Sequence, residues 1–287
     1  MGAVVLFAPA MVLLPLALLL LLSRPTRFVP WLFTGLAAAI AIVWLLLPGG
    51  LSEQTVKAWT LIASALFAVH AHGQESPAVD SAIGGSLIAA AAVFGWYIAF
   101  RIPPSSVISE AQRGLWDLYR TIGDAAPAYR QTMTDSADAA AGFTLILPGV
   151  MVLAGMSGLL VAWRWYHILA AAPVGIPPLP FREFRFNDHL VWLLALGLGG
   201  TVAQLAGYLP HGDLWPANIL VIAGGLYFAR GLAVLATAVA RWPAPLLLVA
   251  GTAVLFLAPF ALTGLFGVGV ADTWLDFRRR AAAASGD

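Results

Sequence analysis

Cysteine is absent from the 287-residue chain, so disulfides, thiolate metal sites and cysteine nucleophiles are excluded. Charge is nearly as scarce. Asp, Glu, Lys and Arg make up 10% of residues, against about 25% in a soluble domain. The 15 basic and 14 acidic residues leave a formal charge of +1, which gives no electrostatic reason to bind nucleic acid. There is no P-loop, no glycine-rich dinucleotide fingerprint, no HExxH and no pair of intramembrane carboxylates. These absences argue against an ATPase, a zinc protease and a carboxylate proton pump. They point to no catalytic residue, no metal and no cofactor.

What is present is apolar: 61% of residues are hydrophobic, gathered in long charge-free runs. That pattern specifies an all-α, polytopic membrane protein in contact with the lipid bilayer. Runs of about 20 apolar residues predict eight spans, at 4–22, 28–47, 56–71, 81–100, 141–163, 190–209, 217–240 and 243–271. The third is short and carries Lys57 and His70 at its ends; the last is long enough to tilt or to break at Pro259. The first is a helix rather than a cleaved signal, because no positive residue precedes it whereas Arg24 and Arg27 follow it. The chain thus divides into a four-span region 1–101, a polar segment 102–140, a second four-span region 141–271 and an Arg-rich tail 272–287. An even count puts both termini on one face. A small excess of Lys and Arg on that face predicts cytoplasmic termini in a bacterial inner membrane.

Within 102–140, Ile108, Ala111, Leu115, Leu118 and Ile122 recur at spacings of three and four, which predicts an amphipathic helix over 106–122 lying outside the bilayer. Its other face mixes Glu110, Arg113, Asp117, Arg120 and Asp124. A lipid-surface helix is usually Lys/Arg-rich there, so the mixed signs favour docking on the protein itself or on a partner. Leu115, Leu118 and Ile122, with Arg278, Arg279 and Arg280 of the tail, are the candidate docking residues. Residues 172–189, with four prolines and then an aromatic, charged stretch, predict a stiff linker leading into the sixth span.

Gly155-Met156-Ser157-Gly158 matches the GxSG serine motif of rhomboid-type intramembrane proteases, but no histidine falls mid-span to activate the serine. Small residues allowing close helix packing are the better explanation. His70 and His72, with Glu75 and Asp80 after them, do not share a helix face as a metal pair would, and read as solvated loop groups. Arg230 is more informative: a guanidinium inside a span must face protein or a water-filled cavity. Two roles are open to it: a structural one, its donors met by helix-end carbonyls or by a carboxylate such as Asp188, and an anion-binding one in a substrate cavity. Tyr227 shares its face. Thr201, Gln204 and Tyr208 continue a small-to-polar stripe from Gly197 along the sixth span, either as helix–helix contacts or, with Asn218, Tyr227 and Arg230, as the wall of a small-molecule pocket. Trp31, Trp163, Trp165, Trp192, Trp215, Trp242 and Trp274 lie near span ends, as membrane-interface anchors do.

In the last hundred residues three stretches stand out: Phe184-Arg185-Phe186-Asn187-Asp188-His189, then Tyr227-Phe228-Ala229-Arg230-Gly231-Leu232-Ala233-Val234, and Asp272-Thr273-Trp274-Leu275-Asp276-Phe277-Arg278. Their order resembles the YybS-like family of polytopic bacterial membrane proteins, domain of unknown function 2232. Arg230 stands where a neutral polar residue is expected of that pattern. The family is distantly similar to the substrate-binding S components of energy-coupling factor transporters. The resemblance implies a substrate-capturing membrane protein partnered by a coupling protein and cytoplasmic ATPases. A different reading is a non-catalytic scaffold or assembly factor that docks a partner through 102–140 and the tail.

Overall fold

The computed structural model describes residues 2–24, 28–73, 77–126, 130–210, 214–240, 242–277 and 279–280. All its regular structure among these residues is helical, in eleven α-helices and two short 3-10 turns. The chain separates into two compact units, residues 1–178 and 179–287, divided inside the proline-rich stretch.

The first unit holds α1 (Gly2–Leu22), α2 (Phe28–Leu46), α3 (Leu51–Gly73), α4 (Ala78–Ala99), α5 (Pro104–Ala125), α6 (Arg130–Phe143) and α7 (Leu147–Leu169). α1 packs on α2, α3 and α7, while α3 and α7 each also pack on α4. Their shared core joins Leu16, Leu19 and Leu20 of α1 to Phe67 and Ala71 of α3 and Leu159, Trp163 and Tyr166 of α7. In lipid, where apolar burial alone does not drive association, close packing must hold helices together, and glycine supplies it here. A Cβ on Gly158 would sit 2.9 Å from the Met11 carbonyl oxygen, and one on Gly155 would run into the Trp59 ring.

The second unit holds α8 (Val191–Leu205), α9 (Trp215–Ala238), α10 (Ala244–Phe256) and α11 (Ala258–Leu275). α9 is central. Gly197 and Gly200 of α8 abut Leu220 and Trp215 of α9, so these two helices run antiparallel. Gly231 of α9 meets the Leu265 carbonyl while Gly269 of α11 meets that of Tyr227, making α9 and α11 antiparallel as well.

Six helices among the described residues are long and apolar enough to cross a membrane: α2, α4, α7, α8 with its leading turn, α9 and α11. The charge-free α1 and the more polar α3 are the other two expected spans, and α3 is the one that its charges weaken most. Of the two outcomes expected for the run 243–271, tilt or a break at Pro259, the structure has the break: Pro259 lacks the N–H that would bond back one turn, and α10 and α11 part at Leu257. The structure differs from expectation at two places. The fifth span begins at Leu147 rather than 141, since residues up to Phe143 belong to a separate helix, α6, which packs on α5 as a hairpin. Trp163 is 2% exposed and sits in the core, so it is not an interface anchor.

Candidate functional site

The three sequence stretches that stand out in the second unit converge on Arg230. This residue is the sixteenth of 24 in α9 and is 2% exposed. Its Nε donates to Asp272 Oδ2 at 2.9 Å, its Nη2 to the Asp272 main-chain oxygen at 3.2 Å, and its Nη1 to Asp188 Oδ1 at 2.7 Å. Asp272 is fully buried near the end of α11, whereas the Asp188 side chain is 62% exposed. The second Asp272 carboxylate oxygen accepts from the Phe277 amide at 3.1 Å.

Helix ends explain why these groups meet. Asp188 lies in the turn that opens α8, where a carboxylate is favoured, and the Asn187 side chain caps that turn by accepting from the His189 amide at 3.0 Å. The Asp272 carbonyl lies in the last turn of α11, the electronegative end that favours a cation. The aromatic lead-in supplies the roof: the Phe186 ring lies 5.4 Å from the guanidinium carbon and packs edge-on against Tyr227 at 5.2 Å. Tyr227 in turn meets Phe266 at 6.3 Å. A second charged layer follows, with Asp276, in a left-handed conformation (φ 44°), bridging Arg185 and Arg279. Arg230 therefore has a carboxylate on either side and an arene above, the arrangement of a structural clamp that ties α9 to α8 and α11.

Of the residues expected to line a polar pocket, the structure brings Tyr227 and Arg230 together. The Thr201 hydroxyl donates to Gly197 O one turn back at 2.9 Å, and the Asn218 amide donates to Leu214 O at 2.8 Å. Gln204 donates to Pro210 O at 3.3 Å, and Tyr208 lies past the end of α8 with 84% exposure. Asn218 and Arg230 are twelve positions apart on one helix, about 18 Å along its axis. Asp272 is the partner that the sequence reading left unassigned. Ending the last span at 271 placed it outside the membrane, whereas α11 runs on to Leu275; an acid immediately after a thirty-residue run without charge was the available signal.

A groove of about 790 Å³ opens elsewhere on the same unit, where the first turns of α8 face the last turns of α11 across α9. Its walls are apolar, among them Leu194, Leu198, Leu220, Phe266 and Trp274, with Gly224 in its floor.

In the first unit, Ser157 donates to Leu153 O at 2.9 Å and faces outward, while Gly155 and Gly158 of the same motif make the close contacts. No group of three or more His, Cys, Asp or Glu among the described residues is placed to hold a metal, and Glu75 lies outside those residues. The amphipathic helix is present as α5, with Leu115 and Leu118 half-buried. Ile122, expected to be covered, is 39% exposed at its last turn. Arg279 and Arg280 are exposed; Arg278 lies outside the described residues.

No curated protein and no solved structure matches the chain. A family model does match, over residues 3–273, which include all three stretches that meet at Arg230, and the chain belongs to that family, the predicted membrane proteins of DUF2232.

Proposed function

We propose that this protein is a non-catalytic, substrate-capturing membrane component whose ligand has an apolar body held between α8, α9 and α11. The observation that carries this reading is the groove of about 790 Å³, within the range of about 300–1,000 Å³ typical of small-molecule pockets and lined by apolar side chains. Arg230 then has a structural role, fixing the helices that form the walls, since its donors are directed at Asp188 and Asp272 rather than at a ligand. On this reading the protein resembles the S components of energy-coupling factor transporters in role, and a membrane coupling protein with an ATPase module would be its partners. Gly224→Leu tests it, because a Cβ at Gly224 meets nothing within 4 Å and the larger side chain fills the groove without displacing backbone. Lipid and small-molecule mass spectrometry of protein extracted from its membrane should find an apolar compound on the parent chain and lose it in the variant. An unchanged compound profile would refute the reading.

The α5–α6 hairpin supports a second reading, a scaffold that docks a partner, because Trp116 and Ile122 of α5 are 38% and 39% exposed. Leu118→Asp should then weaken co-purification of that partner while leaving the compound profile intact. Retained co-purification would exclude docking through this face.

A further inference from the structure

The groove ends where α11 ends, and the chemistry changes there within a few residues. Trp274 and Leu275 are the last residues of α11 to line it, and Trp274 is 67% exposed. Asp276 follows and turns the backbone, then Arg279 and Arg280, both exposed. Asp276 serves two guanidinium groups at once, Arg185 and Arg279, and the Arg279 side chain remains 81% exposed. Past the end of α11, among the described residues, Arg185, Arg279 and Arg280 stand against Asp276, three cations to one carboxylate, so positive charge is in excess there. An apolar slot leading to a tryptophan and then to arginines matches a molecule with a long apolar chain and an anionic head.

We propose that the groove binds an anionic phospholipid, its acyl chain along Leu198, Leu220 and Gly224 and its phosphate against Arg279 and Arg280. This rests on the reading of the groove as a ligand site and narrows it to one class. An uncharged lipid would fill the slot and leave the arginines unused. A free phosphate would use the arginines and leave the slot open. Each arginine near an anionic lipid surface contributes roughly a fivefold preference, so two predict about twentyfold or more.

The test uses the full chain, purified and depleted of lipid in a nonionic detergent. Phosphatidylglycerol, phosphatidylcholine with the same acyl chains, and inorganic phosphate are titrated in separate arms, and binding is read from thermal stabilisation, which follows mass action on the folded state. The expected result is that phosphatidylglycerol binds about twentyfold more tightly than phosphatidylcholine and that inorganic phosphate has no effect. In Arg279→Gln/Arg280→Gln both lipids should bind alike and weakly, and in Gly224→Leu neither should bind. Gly267→Leu is a second groove-filling variant, because its Cβ also meets open space. Equal affinity of the parent chain for the two lipids, or full stabilisation by phosphate alone, would overturn the anionic-lipid proposal and leave the groove reading standing. Lipid binding unchanged in both groove-filling variants would remove the groove reading itself.

Discussion

Arg230 of α9 binds Asp272 of α11 through two groups at once, the carboxylate at 2.9 Å and the main-chain carbonyl at 3.2 Å. The pair is buried on both sides, so the charge of each is satisfied by the other and by few further groups. Removing one member of a buried pair costs about 3–5 kcal/mol where the remaining charge is left without compensation. In Asp272→Asn the guanidinium keeps Asp188 at 2.7 Å, so the loss should fall at or below the low end of that range, about 3 kcal/mol. Asp188→Asn should cost about 1 kcal/mol or less, since the Asp188 carboxylate is 62% exposed and screened by solvent. Unfolding in detergent, followed for both variants, checks the order; equal losses would show that the buried and exposed carboxylates share the guanidinium evenly.

Helix proximity makes the second prediction. A Cβ on Gly231 would fall 1.9 Å from Leu265 O and one on Gly269 1.8 Å from Tyr227 O, both backbone atoms that cannot swing aside. Gly231→Ala and Gly269→Ala should each push α9 and α11 apart and cost at least the 1–3 kcal/mol of an overpacked core. Gly264→Ala is the control, since its Cβ meets nothing within 4 Å and alanine favours a helix. If Gly231→Ala were as stable as Gly264→Ala, the close crossing would be refuted.

Charge-free runs were sufficient to reveal the helical membrane architecture, because a span must satisfy its backbone internally and shed its charges. Hydropathy alone did not mark where a run breaks, but Pro259 did: its missing N–H divides the last run into α10 and α11. Arg230 was legible as an interior residue in need of acceptors, and Asp188 as one of them, but not its second carboxylate: a span ended at 271 leaves Asp272 outside, whereas α11 runs on to Leu275 and its packing on α9 brings the two together. The groove was not legible at all. It arises from where α8 starts and α11 stops along α9, a relation no single helix pattern contains.

The proline-rich stretch after α7, expected as a stiff linker, is held at two points, and this gives a third prediction. The Trp163 indole N–H donates to Ile176 O at 3.0 Å, and the Val174 amide donates to the Tyr166 hydroxyl at 2.9 Å. Between these anchors Gly175 adopts φ +92°, with its Cβ position 2.7 Å from Ala71 O. Gly175→Ala meets both an unfavourable backbone conformation and a backbone clash, so the stretch should lift from α3 and α7. Residues 172–178 should become cleavable by limited proteolysis, and the Trp163 environment should change in fluorescence. A protease-resistant stretch in the variant would contradict the clamp.

The last prediction concerns how α5 is held. Glu110 of α5 accepts from the Leu51 amide at 2.9 Å and from the Ser52 hydroxyl at 3.2 Å, so its carboxylate caps the N-terminus of α3 from a different helix. Two forces act there. The capping hydrogen bonds satisfy donors that the first turn of α3 leaves without intrahelical partners, and the negative charge sits at the positive end of the helix dipole. Glu110→Gln keeps an acceptor and removes the charge, so it should cost about 0.3–1 kcal/mol. Glu110→Ala removes both and should cost about 1–2 kcal/mol, the scale of a lost N-cap. Because α5 joins the bundle through few contacts besides its hairpin with α6, the effect should be local. Amide hydrogen exchange should quicken across α5 and α6 and stay unchanged in α9 and α11, with the alanine variant faster than the glutamine. Uniform acceleration throughout the chain would mean that Glu110 supports the whole bundle. No acceleration in α5 would mean that its apolar face, rather than this carboxylate, fixes the helix in place.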